Sequence, residues 1–134
     1  MNTTVVSYIA CLLVLLGLDM IWLTTTREAL YEPAIGSLLA AKPNYAAIAV
    51  FYLLYPTGVV FFAIQPGLAD GEWPEALLKG ALFGFFCYAT YDLTNMATLK
   101  TWSLTITLAD IAWGTILTGT SAAASFFITR LIAH

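Results

Sequence analysis

Four apolar stretches dominate the chain, at about 5–24, 45–65, 76–99 and 104–132. Each is near the ~20 residues that carry an α-helix across roughly 30 Å of hydrocarbon. Polar positions fall into three breaks between them. The first, 25–44, is the longest and contains "REALYEPAIGSLLAAKPN". Its charged residues lie beside Leu30, Ile35, Leu38 and Leu39, while Pro33 and Gly36 interrupt any long helix. This pattern predicts one or two short helices lying in the membrane interface, serving equally well as a plain connector or as a cover over a site. The second break, "QPGLADGEW" followed by Pro74, reads as a short acidic turn. The third, from Lys100 to Ser103, is tight. Short connections place successive helices antiparallel. The expectation is an all-α polytopic membrane protein, a single domain over 1–134 with four transmembrane helices running up-down-up-down.

Composition agrees. Of 134 residues, 60% are hydrophobic and 10% charged, where a soluble domain carries about 25% charged residues. Four spans leave no room for a soluble catalytic or nucleotide-binding domain, and nothing is basic enough for a nucleic-acid partner. Arg27, Lys42 and Lys100 fall on one side of the bundle and Lys79 and Arg130 towards the other, too even a split to orient it. The first stretch lacks a basic n-region and a small-x-small cleavage site, and Asp19 interrupts it, so it reads as a retained helix. Cys11 and Cys87 sit inside spans, far from metal-motif spacing, and read as free thiols behaving as small apolar residues.

Topology gives the acids a meeting place. In this bundle the end of helix 1, the start of helix 2, the end of helix 3 and the start of helix 4 share one side. At 1.5 Å per residue, Asp19 lies roughly 8 Å deep, Asp92 roughly 10 Å and Asp110 roughly 9 Å. Three acids from three helices thus converge at one depth beneath one face.

The helical faces point the same way. On helix 3, Gly80, Gly84, Tyr88, Asp92 and Asn95 form a stripe, with Tyr91 adjoining. "GALFG" is a small-xxx-small pattern that admits a close neighbour. Helix 4 carries Asp110, Gly114, Thr118, Ser121 and Ser125 along one side, and helix 1 carries Tyr8, Leu12, Leu15, Asp19 and Trp22. Helix 2 brings Tyr45, Tyr52 and Tyr55 to a common face, with Pro56 as a candidate bend. "LDMIW" and "ADIAW" echo one another, Asp19 with Trp22 and Asp110 with Trp113, as a weak internal repeat. The candidate pocket therefore comprises Asp19, Trp22, Tyr52, Tyr55, Tyr88, Asp92, Asn95, Asp110 and Trp113.

Such acids are costly. An Asp at the bilayer centre costs roughly 2.5–3.5 kcal/mol on the insertion scale, less near the interface. Neighbouring carboxylates do not all ionise without a counter-charge, so shared protons or a cation are expected. Lys100 and Arg27 are the basic residues near enough to turn inward as partners.

With "YATYDLTNMATLK", "LTITLADIAWGT", "LGLDMIWL" and "AAKPNYAAIAVFYLLYP" in view, the chain resembles, over nearly its whole length, the small bacterial membrane-protein family called domain of unknown function 2177. Asp19, Trp22, Asp92, Asn95, Asp110 and Trp113 occupy its motif positions. The resemblance implies a multi-pass protein of the bacterial inner membrane. It supplies no activity.

Three functions remain open. The first is a site that binds, with or without modifying, a lipid or small hydrophobic molecule, an Asp serving as general acid or base or Asp with Asn holding a hard cation such as Mg²⁺. The second is a small proton- or cation-coupled transporter working as a homodimer, and the third a non-catalytic assembly subunit whose acids fasten helices. His134 is the only histidine, so there is no histidine box and no Ser–His or Cys–His pair. Iron-oxygenase and triad chemistry are set aside on that ground. No cofactor is specified, and enzyme against binding protein is left undecided.

Overall fold

A computed structural model describes residues 2–133, so His134 lies outside the described residues. Within these residues the chain is helical, with no strand. Helix α1 spans Thr3–Thr26 and is capped by Asn2, whose side chain accepts the Thr4 N–H at 2.8 Å. It does not end at the first polar break. The chain passes through a π-helical turn, Arg27–Tyr31, into the short helix α2, Glu32–Ile35, and a 3₁₀ turn, Gly36–Leu38. Neither interrupter acts as expected. Pro33 sits in the first turn of α2, where the missing N–H is no loss, and Gly36 keeps right-handed helical dihedrals. The expected interfacial helix is therefore a continuation of α1.

Helix α3, Tyr45–Val59, is capped by Asn44 and runs through Pro56. One turn later it widens into a π-helical turn, Val60–Ile64, and continues as α4, Gln65–Asp70. Such bulges often accompany a proline that has lost its own hydrogen bond. Gly71, at φ 74°, closes α4 in the left-handed conformation that favours glycine. Helix α5, Trp73–Thr98, and helix α6, Leu104–Ile132, follow, α6 capped by Ser103.

The pairings make neighbours antiparallel. Thr4 meets Gln65 and Asp19 meets Tyr52 between α1 and the α3–α4 rod. Ser7 meets Thr129 and Asp19 meets Trp113 between α1 and α6. Between α5 and α6, Gly80 faces Ala122 and Tyr88 faces Gly114. The chain is an all-α membrane bundle of about four helices, with α1 and α5 each packed between the α3 rod and α6.

Three segments are long and apolar enough to cross a membrane: Thr3–Leu38, Tyr45–Asp70 and Leu104–Ile132. Helix α5 has the length, at 26 residues, but less hydropathy. Glu75, Lys79, Asp92, Gly80 and Gly84 dilute it, and the glycines among them face α6 rather than lipid. A Cβ at Gly80 would stand 2.7 Å from the Ala122 methyl and 2.9 Å from the Thr118 carbonyl oxygen. That contact is the close approach a small-xxx-small face permits. Outward, Leu54, Phe61, Phe86, Leu108 and Ile116 are all exposed, a surface suited to lipid tails.

Candidate functional site

One end of the bundle holds a cavity of about 230 Å³. Its walls take Asp19 and Trp22 from α1, Tyr88, Tyr91 and Asp92 from α5, and Asp110 and Trp113 from α6. Each acid lies about 9–10 Å along its helix from the end facing this side, at 1.5 Å per residue. The extension of α1 covers the opening: Tyr31 and Ile35, then Leu39 just past the 3₁₀ turn, line the cavity. Trp102, in the connection between α5 and α6, closes another side.

The three acids are not equivalent. Asp19 is buried and accepts two donors: the Tyr52 hydroxyl on Oδ2, and Trp113 Nε1–H on Oδ1 at 3.0 Å. Asp110 is half-buried and accepts the Tyr31 hydroxyl on Oδ1 at 3.1 Å. That hydroxyl in turn accepts from Trp22 Nε1–H at 3.0 Å. Asp92 is 0% exposed, and neither of its oxygens accepts a hydrogen bond. The group that faces it is the Asp110 carboxyl. Two carboxylates satisfy one another only with a proton or a cation between them.

The Asp-x-x-Trp echo acquires a geometry. Trp22 and Trp113 stack with ring centroids 4.7 Å apart and planes 6° from parallel. Each indole serves the other segment's acid: Trp113 donates directly to Asp19, and Trp22 reaches Asp110 through the Tyr31 hydroxyl. Stacking and crossed hydrogen bonds tie α1 to α6 at the level of the cavity.

The remaining sequence candidates divide. Tyr52 touches the cavity only through Asp19. Tyr55 is buried a turn deeper, its hydroxyl 2.7 Å from Thr118 Oγ1. It lines a separate cleft of about 330 Å³ with Phe51, Cys87, Tyr88, Tyr91 and Asp110. Asn95 is half-buried and does not line the cavity. It stands one turn nearer the end of α5, where its carbonyl accepts the Leu99 N–H at 2.9 Å. Tyr45, at the start of α3, is exposed. Both thiols are free, Cys11 buried in the core and Cys87 half-buried beside the cleft.

No cation is built into the walls. Arg27 lies at the surface, at the start of the π-helical turn, and pairs with Glu32 at 3.4 Å. Lys100 is exposed in the turn beyond α5. The expected inward lysine or arginine is therefore not what balances the acids. Among the described residues no three His, Cys, Asp or Glu side chains come together as a metal cage, and Asn95 is not part of the cavity lining.

Tyr31, Ile35, Leu39 and Trp102 were not among the sequence candidates. Tyr31, Ile35 and Leu39 carried a readable signal, since they recur every four residues along one helical face. Trp102, in a tight turn, carried none.

This end of the bundle gathers the segments richest in sequence signature, and the family called "Predicted membrane protein (DUF2177)" matches residues 4–127. The chain belongs to that family. The match takes in all of α3 to α5 and most of α1 and α6. No curated protein and no solved structure matches the chain.

Proposed function

We propose that the protein binds a lipid or other small hydrophobic molecule from the membrane in the carboxylate-lined cavity beneath one bundle end. Asp92 carries the proposal. Taking an ion out of water costs several kcal/mol even after relaxation, unless a partner compensates. The protein faces buried Asp92 with a second carboxyl and no donor from another side-chain type, so the pair holds a proton or a bound positive group between them. Intramembrane acids without a structural partner mark functional sites by default. The aromatic walls suit an amphiphile, offering apolar faces with a few polar tips. The extension of α1 acts as the cover.

Helix fastening has its own observation in Asp19, which spends both oxygens on donors from α3 and α6. That role accounts for Asp19 and leaves Asp92 unexplained. The proposal is binding alone, without a chemical step.

The test is co-purification. Wild-type protein and Asp92→Asn are purified from the same host in mild detergent, and each is extracted for lipid analysis by mass spectrometry. A species enriched at least several-fold with the wild type and lost from a folded Asp92→Asn supports the site. Identical extracts from two equally folded proteins would overturn it.

A further inference from the structure

The cavity and the neighbouring cleft share three wall residues, Tyr88, Tyr91 and Asp110. They differ in character. The cavity holds three carboxylates, with no lysine or arginine in its wall. The cleft is lined by Phe51 and Tyr55 of α3 and by Cys87, Tyr88 and Tyr91 of α5, with Asp110 where it meets the cavity. Phe51 and Tyr91 are exposed on the outer surface, so the cleft lies along the face that meets lipid. An acidic head pocket and an aromatic cleft opening sideways to the bilayer thus lie on either side of a wall formed by Tyr88, Tyr91 and Asp110.

Two buried groups lack partners on the head side. The Asp92 oxygens want donors, and Trp102 Nε1–H wants an acceptor. An uncharged alcohol could serve one of these and would leave a proton shared between Asp92 and Asp110 in place. A carboxylate or phosphate would add a negative charge beside three acids. An ammonium supplies donors and takes the place of that proton as the positive charge between the two acids, and aromatic faces favour it through their quadrupoles. Trp102 then needs an oxygen, which an ammonium lacks but a hydroxyl or ester next to it provides.

On this geometry we propose that cavity and cleft form one two-part site for a single-chain amphiphile with an ammonium head and an adjacent oxygen. The head lies at Asp92 and Asp110, the oxygen towards Trp102, and the chain leaves through the cleft between α3 and α5. This rests on the binding role proposed above and specifies its ligand class. A membrane lipid and a free long-chain amino alcohol share this chemistry, and the test separates them.

The probes are N-octylethanolamine, octylamine, octanol and octanoate, each titrated into protein held in lipid nanodiscs. Empty nanodiscs correct for partitioning. Trp22, Trp102 and Trp113 line the cavity and report by fluorescence, in a Trp73→Phe background that removes the distant indole. N-octylethanolamine is expected to bind at least ten-fold more tightly than octanol or octanoate, with octylamine between. Asp92→Asn and Asp110→Asn should each reduce that preference at least five-fold while the helical circular dichroism stays unchanged. Two variants keep the result readable if one fails to fold.

Octanol or octanoate binding as tightly as the amines would refute the ammonium head yet keep a hydrophobic site. No response to any probe would refute the two-part site. The co-purification experiment would then decide separately whether anything binds. Repeating the titration in nanodiscs of amine-free phosphatidylglycerol alone and of lipid extracted from the native membrane distinguishes the sources. A resident lipid shows as competition only in the extract.

Discussion

Replacing Asp19 by alanine strands two donors at once, and the same bundle contains its own control. Tyr52 Oη and Trp113 Nε1 both donate to Asp19, whereas Asp92 has no donor to lose. Hydrogen bonds to charged groups are worth about 1.5–3 kcal/mol in soluble proteins. Between membrane helices they average about 0.6 and reach about 1.7 kcal/mol, because the unfolded helices remain inserted and find other partners. Two such bonds therefore set the loss at about 1–3 kcal/mol for Asp19→Ala. The transfer cost of the aspartate largely cancels, since the helix stays in the membrane in both states. Asp92→Asn should change stability by less than about 0.5 kcal/mol, because Asp92 accepts no hydrogen bond from another helix and the Asn amide can donate to Asp110 in its place. The assay is reversible unfolding in mixed micelles, followed by circular dichroism. A double-mutant cycle of Asp19→Ala with Tyr52→Phe should give a coupling of about 0.5–1.5 kcal/mol. If Asp92→Asn proves as damaging as Asp19→Ala, or the cycle shows no coupling, the division between fastener and site is wrong.

Other perturbations probe other links. At Gly84 an added methyl would strike the Gly114 carbonyl and the Thr118 side chain, at 2.6 Å from its Oγ1. Gly84→Ala should cost about 1–3 kcal/mol of bundle stability, whereas Gly17→Ala, with nothing within 4 Å, should be neutral or gain about 0.5–1 kcal/mol. Equal effects in the same unfolding assay would contradict the α5–α6 contact. Tyr31→Phe removes the hydroxyl between Trp22 and Asp110. It should loosen the cover, read as faster amide hydrogen exchange across 27–39 with the α6 core unchanged. Cys87→Phe fills the cleft and should weaken octyl-chain amphiphiles several-fold. Methylamine, which needs only the head pocket, should be spared in the same fluorescence titration.

Much of this arrangement is legible from residue types and spacing. Long apolar runs joined by short connections give the antiparallel bundle, and topology brings the ends of α1 and α5 to the start of α6. Glycines every four residues on α5 give the tight seam with α6. Legibility fails where backbone irregularity redirects the chain. Pro33 and Gly36 look like breakers, yet after a π-helical turn Pro33 falls at a helix start, so the first connection stays helical as far as Leu38 and brings Tyr31 and Ile35, with Leu39 just beyond, to the cavity. Arg27 pairs with Glu32 at the surface, which charge counting cannot foresee. Asn95, three residues beyond Asp92 and half-buried, lies nearer the helix end and outside the cavity lining. Spacing alone also cannot rank Asp19, Asp92 and Asp110, because the donors that separate them come from other helices.

The most direct test is native mass spectrometry of the protein released from nanodiscs made with native-membrane lipid, beside Asp92→Asn and Asp110→Asn. The account predicts one non-covalent adduct per chain on the wild type, absent from both variants while they stay folded, its mass and fragments those of an amine-bearing single-chain amphiphile. Wild type and folded variants carrying the same adducts, or none, would contradict it and leave the acids as fasteners of the bundle.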